Sequence, residues 1–479
     1  MPKAKTDVFF SNSVFIFLTR FFPVLAALLV QVYYSRQLSA GLYGSYQNFW
    51  VQLFVFAAVA CAGLHVFVIT YPADFLIRLL HRLKARTYIC FLLWILAACC
   101  GFAWLQSGRG YGAAIPFLFL LVHVGSAIAE AFLISFRRLR VLSLVNLVYA
   151  SLFIYLHFSM PGGGFSVQSL FFNVLFLAVA RLVVYLLLAY RYYAAHKAAA
   201  LATETVTSGV TSLWIHLGLY DMLQILARWT DKFVIGFLFT EAVSGVYFNG
   251  SVDIPFLPII LGAAGSAVLI QLAGSKQTGE PAYTLLLAHK SSRFLSAIVF
   301  PLFFFFVLFR QELFQVLFTS KFSSAVPIFL ASCMAIPVRA YSFTTILQNR
   351  GKGALINAGA LLDLVVALAL LYPLYLWLGL AGIALSFSLA TYVQAGFYLY
   401  HTSRLLGVSV MALVPYGNWL IKLVVFGGVL SALRFLATQA LAPLSALAMG
   451  AVATAAMVLL ALVIELRNKK NNYAAQSAG

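Results

Sequence analysis

The sequence predicts an all-α polytopic membrane protein with about 14 transmembrane helices, two six-helix bundles related by pseudo-two-fold symmetry plus two C-terminal helices. Three observations carry this. Hydrophobic residues make up 63% of the chain and charged residues 9%, where a soluble domain has about 25% charged. Apolar runs reaching the roughly 20 residues needed to cross a bilayer recur along the whole length, without the period-two alternation of a membrane barrel. An apolar run that ends in Ser35-Arg36-Gln37, breaks at Leu38-Ser39-Ala40 and resumes as Gly41-Leu42-Tyr43 is echoed far downstream. There Arg228, Asp231 and Lys232 precede an apolar run that breaks at Thr240-Glu241 and resumes as Gly245-Val246-Tyr247.

The first span is expected at about 9–34 and retained as a membrane helix, because it is long, contains Arg20 and is followed by no small-residue cleavage site. The second (about 44–71) leads to a basic loop with Arg78, Arg82, Lys84 and Arg86. The third (about 88–106) and fourth (about 113–136) precede Arg137-Arg138-Leu139-Arg140. The fifth (about 141–158) ends in the uncharged Met160-Pro161-Gly162-Gly163-Gly164, and the sixth (about 168–190) in a polar linker through Glu204. The seventh to twelfth are expected at about 209–239, 243–272, 294–318, 325–348, 354–377 and 380–402. Spans at about 414–438 and 444–466 follow, before Arg467, Lys469 and Lys470.

With the N-terminus inside, loops after even-numbered spans and both tails hold roughly 20 of the 31 Lys and Arg. The opposite loops hold Arg36, Arg109 and Lys321. This asymmetry puts both termini in the cytoplasm and requires an even span count. It also assigns the net charge of +19 to topology and membrane-lipid contact rather than to nucleic acid. The turns after spans five and eleven are both uncharged, and Arg138 precedes Asn146 much as Arg350 precedes Asn357. Residues 1–200 and 201–405 therefore read as parallel six-helix repeats, with 406–479 as two added helices and a cytoplasmic tail.

No loop is long enough for a folded domain outside the membrane. Gly351-Lys352-Gly353 lacks the rest of a phosphate loop, and Gly108 to Gly112 sits in an external turn, so no nucleotide cofactor is expected. Cys61, Cys90, Cys99, Cys100 and Cys333 have neither metal-site spacing nor an even count, so no metal or disulfide framework is expected.

Charges inside spans must face a partner or a wet cavity, because each costs about 2.5–3.5 kcal/mol at a helix centre. Asp221, Arg228, Asp231 and Lys232 fall within a few turns of one helix, with Arg228 sharing a face with Asp231 and Lys232. They form either an internal ion-paired packing device or a cationic lining for an anionic substrate. Arg20 precedes Pro23 and Arg339 follows Pro337, breaks of the kind that line cavities. Glu130, Asp253 and Asp363 are candidates for ion coupling, and His65, His123 and His216 could serve similarly. Arg181, Arg310, Lys422 and Arg434 are expected to snorkel to an interface.

Four segments together resemble a known family. They are Arg36-Gln37-Leu38-Ser39-Ala40-Gly41-Leu42-Tyr43-Gly44; Asp231 to Gly236 with Gly245-Val246-Tyr247; Leu317 to Pro327; and Gly379 to Ala384. In order and spacing the chain resembles the bacterial polysaccharide-unit (O-antigen or exopolysaccharide) flippases of the multidrug/oligosaccharidyl-lipid/polysaccharide exporter superfamily. The resemblance implies two six-helix bundles facing a central cavity that opens alternately to either side of the bacterial inner membrane. It implies transport of an undecaprenyl-diphosphate-linked sugar unit, no enzymatic activity, and polysaccharide polymerase and assembly proteins as candidate partners. By position, the cationic role toward the pyrophosphate falls on Arg20, Arg228, Lys232 and Arg339. A small-molecule cation antiporter of the same superfamily is the alternative, against which the in-span arginines speak. A polysaccharide polymerase or ligase would need a larger external loop.

Overall fold

The computed structural model describes residues 3–109, 112–159, 166–201, 210–252, 257–274 and 281–477, and every regular element among them is helical. Contacts divide the chain into two compact units, residues 1–245 and 246–479. The uncharged turn at 160–164, the linker at 202–209, Asp253 and Lys276 lie outside the described residues, as does the side chain of Arg20.

The first unit runs α1 (Lys3–Gln37), α2 (Ala40–Cys61), α3 (Leu64–Thr70), α4 (Ala73–Arg82), α5 (Ala85–Ser107), α6 (Ala114–Ser135), α7 (Leu139–Ser159), α8 (Val167–Leu201) and α9 (Val210–Leu238), and ends in the first turn and a half of α10 (Glu241–Gly250). The expected second span is two helices, α2 and α3, bent by 58° at Ala62-Gly63, where both residues adopt positive φ. A break at membrane depth exposes carbonyls that lipid cannot satisfy. Here the indole of Trp94 donates to Val59 O at 2.9 Å and that of Trp214 to Ala62 O at 3.1 Å. The basic loop expected after this span contains α4. Asp74 in its first turn and His81 and Arg82 in its last match the helix dipole, while Phe75, Leu76 and Ile77 are buried.

α9 packs along α2 and α3, which places it in the first unit. The approach is close: a Cβ on Gly63 would overlap the backbone of Gly218, and one on Gly236 would overlap the Asn48 side chain. The starts of α2 and α10 also cross, and they correct the register of the internal echo. Ser39 Oγ accepts from Leu42 N at 3.3 Å and Ser39 O from Tyr43 N at 2.9 Å; Thr240 makes the same pair of bonds with Val243 and Ser244, at 3.5 and 2.9 Å. N-capping position thus pairs Ser39 with Thr240, and so Gly44, not Gly41, with Gly245. The repeated pattern is then Gly44-x-Tyr46-x-Asn48 and Gly245-x-Tyr247-x-Asn249. The contact is reciprocal, since a Cβ on Gly44 would strike Glu241 O and one on Gly245 would strike Ala40 O.

The second unit continues with α11 (Leu257–Gly274), α12 (Pro281–Leu308), α13 (Arg310–Phe318), a 3-10 turn Ser320–Ala325, α14 (Val326–Cys333), a second 3-10 turn Pro337–Ala340, α15 (Thr345–Asn349), α16 (Gly353–Leu378), α17 (Leu380–Leu406), α18 (Val410–Leu413), α19 (Tyr416–Ala440) and α20 (Pro443–Ser477). The expected tenth span is thus broken repeatedly around Pro337. α16 and α17 form a tight hairpin through Gly379 at φ 59°, with Tyr398 lying over Gly359 and donating to Ile356 O at 2.8 Å.

Lys422 and Arg434 do not snorkel. Lys422 reaches Arg293 O at 2.6 Å, Ser296 Oγ at 3.0 Å and Glu465 at 2.9 Å, tying α12, α19 and α20. Arg434 pairs with Glu312 on α13. Among the described residues, ten helices are long and apolar enough to cross a membrane, or eleven with the bent α2–α3 pair as one. α1 and α9, at 35 and 29 residues, also have the length.

The α2–α10 crossing yields a paired test. Gly44→Ala forces a methyl group into backbone and should cost about 1–3 kcal/mol by overpacking. Gly41→Ala meets nothing within 4 Å and should be neutral or stabilising by about 0.5–1 kcal/mol. Thermal unfolding of the two variants in detergent separates them.

Candidate functional site

The dense charged segment on α9 belongs to the first unit, and its members divide by burial. Asp231 and Lys232 are 6% and 8% exposed, with Lys232 Nζ 3.5 Å from Asp231 Oδ2 and 5.5 Å from the centre of the Trp229 ring. Trp229 packs against Phe54 of α2 at 5.1 Å. An apolar surround of this kind raises the cost of leaving either charge unpaired. Toward the start of α9, Asp221 Oδ2 stands 3.4 Å from His65 Nε2 of α3, an ion pair when the imidazole is protonated. Arg228 lies between these pairs along the helix and is exposed at the surface of the unit. Each acidic group on α9 thus has a close basic neighbour, and Arg228 is the cation left outermost.

The remaining candidates are scattered. Arg20 lies on α1, its side chain outside the described residues. Glu130 is half-buried on α6. Asp253 lies outside the described residues. In the second unit, Arg339 is half-buried in the 3-10 turn that begins at Pro337, and Asp363 is half-buried on α16, its Oδ1 buried and without a hydrogen-bond partner among the described residues. Arg181, expected at an interface, sits 3.9 Å from the centre of the Tyr149 ring. Its neighbour Tyr185 donates to Asn146, which donates to Thr19 O at 3.1 Å, and Thr19 Oγ1 meets Ser143 Oγ at 2.7 Å. This network fastens α1 to α7 and α8. Among the described residues no group of three or more His, Cys, Asp or Glu side chains could hold a metal ion.

A second polar cluster, at the far end of α9, involves residues that sequence reasoning did not select. Asn48, Gln52 and Gln106 are 0–1% exposed. Gln106 Nε2 donates to Gln52 Oε1 at 2.6 Å, but neither polar atom of Asn48 has a hydrogen-bond partner among the described residues. Beside them Arg109 Nη2 donates to Gly236 O at 2.7 Å, and Arg109 Nη1 is 3.9 Å from Glu241 Oε1. Arg109, counted from sequence as one of a few external basics, therefore clasps the end of α9 and the start of α10. The signal for Asn48 was present: it closes the Gly-x-Tyr-x-Asn pattern that Asn249 repeats, and the register taken from Gly41 hid it.

The model of the family described as polysaccharide biosynthesis protein matches residues 82–327, just over half of the chain. No curated protein sequence matches. Among solved structures, the lipid II flippase MurJ in an inward closed conformation aligns with a TM-score of 0.62 at 13% identity, covering 96% of this chain and 99% of that one. An inward-facing multidrug resistance MATE family transporter of the MOP superfamily aligns with a TM-score of 0.53 at 16% identity, over 82% of this chain and 95% of that one. A MATE in the straight conformation gives 0.50 at 16% identity, over 84% and 95%. At these identities the likeness is one of fold.

The unequal burial on α9 has a consequence for folding. Asp231→Ala strands the buried Lys232 ammonium and should cost about 3 kcal/mol, whereas Arg228→Ala should change stability by no more than about 0.5 kcal/mol. Chemical unfolding followed by tryptophan fluorescence would show the difference; equal losses would mean that Arg228 is a packing residue.

Proposed function

The chain belongs to the polysaccharide biosynthesis protein family and has the all-helical fold of the MurJ and MATE transporters, and from this premise we propose that it flips undecaprenyl-diphosphate-linked oligosaccharide units across the bacterial inner membrane. It does so by alternating access, with both termini in the cytoplasm, to feed synthesis of lipopolysaccharide O-antigen or exopolysaccharide. Residues 1–200 and 201–405 act as the two repeats, with 406–479 as an appendage.

The observation that carries the substrate class is the exposed Arg228 above the compensated Asp231–Lys232 pair. A diphosphate cannot enter hydrocarbon unaided. A guanidinium offers it a planar fork of donors, and a cationic lining raises the local concentration of an anionic head group. Arg20 and Arg339, each near a proline in its span, are assigned the same role, and Lys232 is the fourth cation of the set, its charge balanced by Asp231. Glu130, Asp253 and Asp363 are the acidic groups that could couple the cycle to an ion. A cation substrate would find the wrong sign of charge at Arg228.

A deletion strain should accumulate lipid-linked sugar units on the inner leaflet of the inner membrane. Arg228→Ala should lower surface polysaccharide at least tenfold with the protein still present in the membrane. Units reaching the outer leaflet normally in the deletion strain would refute the transport role.

A further inference from the structure

A cavity of about 520 Å³ opens in the second unit, around α13 and the turn after it. Its polar wall is Arg310, Gln311, Gln315, Thr319, Ser320 and Ser323, and Phe314, Val326, Pro327 and Leu330 complete it. The volume is within the roughly 300–1,000 Å³ usual for small-molecule sites. The stretch Leu317 to Pro327, prominent in the sequence, supplies half of this lining, and the transport reading gives it no other task.

The wall is held in place. Glu312, on the side of α13 away from the cavity, pairs with Arg434 of α19, and Phe314 packs against Phe318 and Phe329 at 5.1 and 5.2 Å. Gln311 and Gln315, one turn apart, therefore present two amides from a fixed helix. Arg310 Nη1 donates to Val307 O at 2.5 Å, which occupies one of five guanidinium donors. Thr319 is held at φ 67°, ψ 174°, a region that a β-branched residue adopts rarely and that accumulates at functional sites.

We propose that this cavity binds a pyranose-type sugar residue. Five uncharged amide and hydroxyl side chains against a single cation suit a ring of hydroxyl groups, and the Phe314, Val326 and Leu330 wall suits the ring's C–H face. A pyrophosphate would call for several cations. In the proposed orientation the α12–α13 end of the second unit is on the side away from the cytoplasm, so the subsite takes the sugar end of the cargo after it has crossed. The subsite rests on the transport reading for the source of its sugar.

The probe is the sugar unit released by mild acid from the lipid-linked fraction of the same cells, titrated onto the full-length protein in lipid nanodiscs by calorimetry. Wild type should bind it. Gln311→Leu with Gln315→Leu should weaken binding at least tenfold, and Ser323→Trp, a filling change on the exposed rim, should abolish it, with both proteins unfolding at the wild-type temperature. Should the double variant not fold, Ser323→Trp alone decides. No binding by wild type, or binding by Ser323→Trp within twofold of wild type, overturns the subsite. Because the freed sugar needs no transport, this result is separate from the leaflet assay: trapped units in the deletion strain with unaltered binding by the variants refute the subsite alone, and the absence of trapped units refutes the transport reading.

Discussion

Hydrocarbon offers a broken helix no hydrogen-bond partner, and the arrangement of the first unit follows from how that is met at Ala62-Gly63. The break between α2 and α3 frees carbonyls in the middle of an apolar run. Two indoles supply the missing donors, Trp94 from α5 and Trp214 from α9. Trp214 can reach Ala62 only because Gly63 and Gly218 let the two backbones touch. The same alignment brings Asp221 to His65 one turn further on and Gly236 to Asn48 at the other end. α9 is thus fixed along its length by a defect in its neighbour, and its charges inherit their positions from that contact.

How legible this was depended on which physical signal each feature leaves. Length, helical class and the apolar spans leave a compositional signal that lipid enforces at every residue, so they could be read directly. The break in the second span leaves only an Ala-Gly pair inside an apolar run, which is indistinguishable from small-residue packing until the indoles are placed. α4 was hidden for another reason: its basic residues satisfy both a topology signal and an amphipathic helix. From sequence Lys422 and Arg434 look like snorkelling side chains because their partners, Glu465 and Glu312, lie on other helices, and pairing at such separation leaves no local pattern.

The register of the internal echo is set by caps rather than by letters. Gly41-Leu42-Tyr43 and Gly245-Val246-Tyr247 look alike as letters, yet a cap is defined by which side chain accepts the first free amides. Ser39 and Thr240 do so, and the alignment moves accordingly. What it then reveals is mechanical: the two glycines are where α2 and α10 touch, each against the first carbonyl of the other helix. Sequence comparison weighted toward similarity could not see this, because Gly41, which meets nothing within 4 Å, counts as much there as Gly44.

The charges on α9 follow the same logic. Exchange of partners is slow and costly for a buried ion whose pairing carries several kcal/mol of desolvation. Lys232, enclosed with Asp231 beside Trp229, has the properties of a structural charge. Arg228 sits at the unit's surface on the same helix face, where water can replace any partner it gives up. The Asp231–Lys232 pair is neutral as a unit, so on this stretch of α9 Arg228 is the charge that burial does not enclose.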